Sequence, residues 1–330
     1  MKDILEYLYQ HRTLSEEDAG QVLTDIAEGK YNQAQIASFL TAFIMRNITL
    51  SELKGFRNAL LSLCHKVDLS EFDPMDLCGT GGDGKNTFNI STLTSFVVAG
   101  AGIPVAKHGN YGVSSVSGSS NVLEQLGIKF PTDESGLREQ ISEANICFLH
   151  APLFHPAMRH VGPVRKELGV KTFFNMLGPL VNPARPSVQM AGVFDLGLAR
   201  MYKYLLQDEN VKYSIVHALD GFDEVSLTAG CKIIANSGEY NLDAADFGLT
   251  KVNYSELHGG DTVGEAAAIF TKILDGKGSQ PQNEVVLANA ALAIRTYRPE
   301  TALIDAIEAA RESLLGLKAK KAFTTLKQLS

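Results

Sequence analysis

The sequence has no surplus of positive charge, no long apolar run and few cysteines, and each shortage excludes a class of function. Its 30 lysines and arginines stand against 37 aspartates and glutamates, a net charge of -7 with a pI near 5.7. Proteins that bind nucleic acid draw affinity from neutralising phosphates and carry a basic surplus, so nucleic acid is not expected as a partner. The least polar stretch, 96–106, is about half the length of a membrane span and is broken by Gly100, Gly102 and Pro104. No membrane segment is expected. Lys2, Asp3 and Glu6 interrupt the apolar residues at the N-terminus, which does not read as a secretory signal. The cysteines, Cys64, Cys78, Cys147 and Cys231, lie far apart with no CxxC pair. That spacing gives neither a zinc site nor a disulfide framework and points to the reducing cytoplasm. There is no HExxH motif, no Ser/His/Asp signature, no internal repeat and no low-complexity segment.

What is present is an ordinary globular composition, 45% hydrophobic and 20% charged over 330 residues, enough for about two domains. Residues 1–70 read as helices only. Ser15 caps a helix that Gly29 closes, Thr49 starts another, and Ile36, Phe39, Leu40 and Phe43 keep helical spacing. From 71 to 330 short apolar runs alternate with helical stretches. Strands are expected at 75–78, 104–107, 146–150, 171–174, 188–194, 213–219 and 232–235. Helices are expected at 91–100, 119–126, 137–143, 198–207, 263–274, 283–297 and 301–316. This alternation specifies an α/β domain with a mainly parallel central sheet. Ligands bind such sheets at the carboxyl ends of the strands. The proline- and glycine-rich stretch 160–186 reads as an irregular crossing that joins the helical part.

Four loops could carry chemistry. Gly79-Thr80-Gly81-Gly82-Asp83-Gly84 sets four glycines in six residues between a strand and a helix. Such a loop can turn its N–H groups toward an anion in front of a helix N-terminus, or be a plain turn. Residues 79–86 nearly match a Walker A loop but end in Asn86 where a hydroxyl would hold magnesium. Asp83 suits sugar hydroxyls better than phosphates. Asn89, Ser91 and Thr92 sit where helix caps sit, and Ser91 could also face a metal ion. The second loop, from Lys107 to Asn121, is rich in glycine and serine. The third, Asp220-Gly221-Phe222-Asp223-Glu224, reads either as a solvated acidic turn or as a magnesium site shared with substrate phosphates. The fourth runs from His155 to Arg165; alone, Arg165 reads as a surface or salt-bridge arginine.

Gly79-Thr80-Gly81-Gly82-Asp83, Asn89-Ile90-Ser91-Thr92, Lys107-His108-Gly109-Asn110, Arg165, 175–183 (NMLGPLVNP) and 220–224 (DGFDE) stand in this order along the chain. In that order they resemble the anthranilate phosphoribosyltransferases, and the resemblance runs over nearly the whole chain. It implies a homodimer with the fold of pyrimidine nucleoside phosphorylases, joining anthranilate to phosphoribosyl pyrophosphate in tryptophan biosynthesis. Carried over by motif, Gly79, Gly82, Asp83, Thr87, Asn89, Ile90, Ser91 and Thr92 would hold the donor. So would Lys107, His108, Gly109, Asn110, Tyr111, Gly112, Val113, Ser114, Ser115 and Ser119. Ser91, Asp223 and Glu224 would bind two magnesium ions. Gly79, Asn110 and Arg165 would bind anthranilate. The residues expected in catalysis are Lys107, Arg165, Asp223 and Glu224. Tyr111 and Val116 depart from the family, which often has basic residues there. The competing readings are a nucleoside phosphorylase, a nucleic-acid-binding relative and a P-loop ATPase. The Asp223–Glu224 pair argues against the first, and net charge with that pair against the second. Failure to hydrolyse ATP would remove the third.

Overall fold

The computed structural model describes residues 1–112 and 116–330. Four helices come first: α1 (Lys2–Tyr9), α2 (Glu16–Ala27), α3 (Gln33–Met45) and α4 (Leu50–Leu63). Then follow β1 (Met75–Gly79), α5 (Ile90–Gly100), β2 (Val105–Gly109), α6 (Ser119–Gln125), α7 (Glu134–Ala144) and β3 (Ile146–His150). The chain returns to helices with α8 (Ala151–Phe154), α9 (Val161–Leu168) and α10 (Phe174–Leu177). It continues through β4 (Val188–Gly192), α11 (Leu196–Leu206), β5 (Lys212–Ala218), β6 (Cys231–Ala235) and β7 (Gly238–Leu242). It closes with α12 (Val263–Leu274), α13 (Gln280–Tyr297), α14 (Leu303–Leu315) and α15 (Lys318–Gln328). Among the described residues no helix is long and apolar enough to cross a membrane.

Contacts divide the chain into two compact units: Met1–Val67 with Ala151–Pro183, and Asp68–His150 with Ala184–Ser330. The first is helical. Its capping residues act as their types require: the Ser15 hydroxyl accepts from the Asp18 N–H, and Thr49 and Glu52 form a reciprocal capping box. Glu52 is fully buried. Burial alone would raise its carboxyl, but Arg46 and the N–H groups of Thr49 and Leu14 outweigh it and hold Glu52 below its ordinary value. The strand expected at 171–174 is absent. Phe173 instead packs on Phe56 with ring centres 4.3 Å apart and edge-on to Phe43 at 5.1 Å, inside the helical unit. A short apolar run reads alike as strand or buried helix, and here the aromatic cluster of α3 and α4 captures it.

The second unit is built on a seven-stranded sheet in the order β3-β2-β1-β4-β5-β6-β7. Neighbours from β3 to β5 run parallel, and β6 and β7 add as antiparallel strands. β7 leaves little signal in the sequence because only Tyr240 and Leu242 among its five residues are apolar, and both are only half-buried against the core. In the β1–β4 pair, Gly79 stands opposite Gly192, so both strands end in glycine at the same carboxyl edge.

α13 is apolar around most of its circumference and buried through its middle, as a central helix must be. The one buried amide on it, Asn289, donates to the Val225 carbonyl at 2.8 Å and accepts from the Val225 N–H at 3.0 Å. It thereby fixes the backbone just after the acidic loop. Each buried backbone group left without a partner costs about 1–3 kcal/mol. Asn289→Ala should therefore lower the thermal unfolding midpoint by several degrees; an unchanged midpoint would contradict this anchoring.

Candidate active site

The candidate site is the carboxyl edge of β1, β2, β4 and β5 in the sheet unit. Thr80 N–H donates to the Gly192 carbonyl at 2.9 Å, which starts the glycine loop along β4. Gly81, Gly82 and Gly84 then take φ of +62°, +77° and +74°, a backbone that side chains with a Cβ rarely adopt. The loop turns back so that Gly81 N–H donates to Asp223 Oδ2 at 2.7 Å. Asp83 accepts from the Lys85 N–H at 3.0 Å.

Asp223 can lie here only because two Cβ atoms are missing. A Cβ on Gly79 would stand 2.4 Å from Asp223 Oδ2, and one on Gly192 would stand 1.7 Å from the Asp223 carbonyl oxygen. Glu224, the next residue, reaches the start of α5, where its Oε1 accepts from the Ser91 N–H at 3.0 Å. Asn89 precedes α5 but does not cap it with its side chain; its amide donates to the Ser117 carbonyl at 3.1 Å instead. The capping expected from Asn89 thus comes from Glu224, a carboxylate at a positive helix terminus.

Burial pushes the Asp223 carboxyl up, against the Gly81 N–H and Lys107, which favour its charge. Glu224 is pushed well up by burial and then by the charges of Asp223 and Asp83. Lys107 is buried on β2 and donates to the Leu77 carbonyl at 2.5 Å. One lysine beside this acidic group leaves a deficit of positive charge. Among the described residues no three His, Cys, Asp or Glu side chains form a metal-holding group. Two hard oxygen ligands without a third fit magnesium, which takes the rest of its shell from phosphate and water. Cys78, beside Gly79, is no nucleophile: burial and then Asp76 push its thiol up to about 12.

Ile90 and Thr92 are buried in α5, and His108 is buried on β2, where its N–H donates to Asp76 at 3.1 Å. Thr87 pairs with His258 in an isolated antiparallel bridge. At the end of β2, the absent Cβ of Gly109 makes room for Phe148 and Ser119. Ser119 Oγ donates to the Asn110 carbonyl at 3.3 Å, and the Gly112 N–H donates to Asn121 at 2.9 Å. Tyr111 directs its hydroxyl to Glu124 at 2.8 Å and sets its ring edge-on to His150. Val116 is exposed and has no polar side-chain atom to offer. Val113, Ser114 and Ser115 lie outside the described residues.

Arg165 belongs to the helical unit, on α9. Its Nη2 donates to Asn175 Oδ1 at 3.1 Å, and its guanidinium lies 5.4 Å from the centre of the Phe174 ring. Burial lowers it to about 10, so it stays charged at neutral pH, and its Nε has no partner among the described residues. This is not the salt-bridge arginine that its sequence alone suggests. A sheltered cation with unused donors is built to receive an anion.

Two positions lie outside the motifs that the sequence offers. Gly192 ends an apolar strand like many glycines, and only the fold brings Asp223 onto it. Asn289 does leave a signal, a lone amide inside an apolar helix.

Comparison with known proteins agrees over the full length. Residues 2–64 match the glycosyl transferase family helical bundle domain, and residues 71–319 match the glycosyl transferase family a/b domain. An anthranilate phosphoribosyltransferase of Christiangramia forsetii is 59% identical, covering 100% of this chain and 99% of its own. The crystal structure of the Thermus thermophilus anthranilate phosphoribosyltransferase superposes with a TM-score of 0.90 at 32% identity, covering 98% of each chain. The Saccharomyces cerevisiae enzyme in complex with PRPP and Mg also superposes with a TM-score of 0.90, at 28% identity, covering 98% of this chain and 96% of its own. With this identity along its whole length, the chain belongs to the anthranilate phosphoribosyltransferase family.

Proposed function

We propose that the chain transfers the phosphoribosyl group of 5-phosphoribosyl 1-pyrophosphate to the amino group of anthranilate, releasing pyrophosphate, in tryptophan biosynthesis. The observation that carries this reading is the Asp223–Glu224 pair, with Asp223 buried against the glycine loop and Glu224 half-buried at the start of α5. In this reading Gly79, Gly82, Asp83, Thr87, Asn89, Ile90, Ser91 and Thr92 hold the donor. Lys107 and the loop after it, with Ser119, complete its binding. Asp223, Glu224 and Ser91 are the residues for two magnesium ions. When bound, magnesium supplies charge that offsets the negative charge developing on the leaving pyrophosphate.

The protein's own part is mostly positioning. An aromatic amine is already neutral at pH 7 and attacks the ribose carbon without a strong base. Lys107 adds fixed positive charge beside the acidic pair. Arg165 takes the anthranilate carboxylate with its planar fork, and Asn110 and Gly79 are further contacts of the acceptor. We place the reaction in the cytoplasm. For the homodimer we assign the groove between α1 and α3, lined by Leu8, Ala37, Thr41 and Met45, where Tyr9 and Met45 present apolar surface to solvent.

The chain contains no tryptophan, so anthranilate fluorescence reports turnover without tryptophan background. The wild-type protein should consume anthranilate only with magnesium and release an equal amount of pyrophosphate. Asp223→Asn with Glu224→Gln should lower turnover by more than about a hundredfold; full activity in that variant would remove the metal assignment. Arg165→Ala should raise the KM for anthranilate about 10- to 150-fold, the worth of a hydrogen bond to a charged group. An unchanged KM would take Arg165 out of the acceptor site. Light scattering should give the mass of a dimer, and Met45→Glu that of a monomer. A monomeric wild type, or a dimeric Met45→Glu, would overturn the assigned interface.

A further inference from the structure

We infer that Lys85 is a positioning residue: its ammonium, held over the faces of Phe222 and Tyr254, ties the glycine loop to the acidic loop and sets the affinity for the phosphoribosyl donor. This rests on the reading above that these loops hold the donor. The Lys85 Nζ lies 4.9 Å from the centre of the Phe222 ring and 5.3 Å from that of Tyr254, and the two ring centres are 5.8 Å apart. Phe222 is buried and immediately precedes Asp223; Tyr254 is exposed at the start of the short turn Tyr254–Leu257. Lys85 forms no ion pair among the described residues. In the near-match to a Walker A loop this lysine would face phosphate, yet here it faces two rings.

The loop needs such a tether. With Gly81, Gly82 and Gly84 all at positive φ, its backbone has little stiffness of its own, so contacts must fix its shape. Its start is held by the Thr80–Gly192 and Gly81–Asp223 hydrogen bonds. Its end is gripped by the segment after Tyr254. The Gly259 N–H donates to the Asn86 carbonyl at 2.8 Å, Asn86 Nδ2 donates to the Gly260 carbonyl at 2.8 Å, and the Phe88 N–H donates to the Leu257 carbonyl at 3.0 Å. Between these anchors stands Asp83, whose carboxylate accepts from the Lys85 N–H and whose charge Glu224 feels. Lys85 is the side chain that links this middle stretch to both the acidic loop and the gripping segment. Cation–ring contacts of this kind change an equilibrium by about 2- to 30-fold.

The test is steady-state kinetics of the full chain carrying Lys85→Met, Lys85→Arg, Tyr254→Leu, and Lys85→Met with Tyr254→Leu, each checked for an unchanged thermal midpoint. Lys85→Met should raise the KM for phosphoribosyl pyrophosphate about 2- to 30-fold and leave the KM for anthranilate alone. Lys85→Arg should restore it, because a guanidinium also stacks on rings. Tyr254→Leu should raise it by less, because Phe222 still holds the ammonium, and the double variant should be no worse than Lys85→Met alone. The tether is overturned if Lys85→Met behaves as wild type, if Lys85→Arg is as weak as Lys85→Met, or if the two substitutions add. An impaired Lys85→Met with unchanged hydrogen exchange of residues 80–88 would make Lys85 a phosphate ligand instead. Hydrogen exchange of residues 80–88 without substrate separates this inference from the functional reading. Faster exchange in Lys85→Met and Tyr254→Leu is expected even if anthranilate is not the acceptor, and unchanged exchange overturns the tether whatever the enzyme does.

Discussion

The contact on which the site depends is the one between Asp223 and two glycines. β1 and β4 end side by side in Gly79 and Gly192, and Asp223 lies where their side chains would be. That gap lets the acidic loop fold back over the sheet edge. From there the rest follows by short steps along the chain. Asp223 meets the Gly81 N–H and shapes the glycine loop; Glu224 reaches the Ser91 N–H and caps α5; Val225 is locked to Asn289. Glycine at a strand end is often only a turn residue, but at these two positions it makes room for a charge.

That charge is costly where it stands. Burial disfavours both carboxylates, and the charges of Asp223 and Asp83 further disfavour that of Glu224. The N–H groups of Gly81 and Ser91 and the nearby Lys107 offset part of this, and a divalent cation would offset the rest. The arrangement is therefore tense without a ligand and relieved by one, which is how a preorganised site stores its electrostatics. The same logic applies in the helical unit, where Arg165 is sheltered beside Asn175 and Phe174 without a carboxylate partner among the described residues.

Much of this was legible in the sequence because the chemistry is carried by local motifs. Gly79–Asp83, Lys107–Asn110 and Asp223–Glu224 each stand at a strand end that the alternation of apolar runs already marks. What was not legible depends on contacts between distant segments. Gly192 acquires its role only when Asp223 arrives from another loop. The run 171–174 looks like a strand until Phe56 and Phe43 claim Phe173. Asn89 looks like a cap, but Glu224 does the capping. Lys85 sits where a phosphate-binding lysine would sit, and two rings far along the chain take it instead. Tyr111 shows the same effect: its partners, Glu124 and His150, come from segments further along the chain.

The most direct test of the claim that the paired carboxylates hold the donor through a divalent cation is a calorimetric titration of phosphoribosyl pyrophosphate into the wild-type protein, with magnesium and then with a chelator. Binding that is tight with magnesium and at least about tenfold weaker without it is the predicted result. Equal affinity in both conditions would mean that backbone N–H groups and Lys107 bind the donor unaided. It would contradict the role assigned here to Asp223 and Glu224.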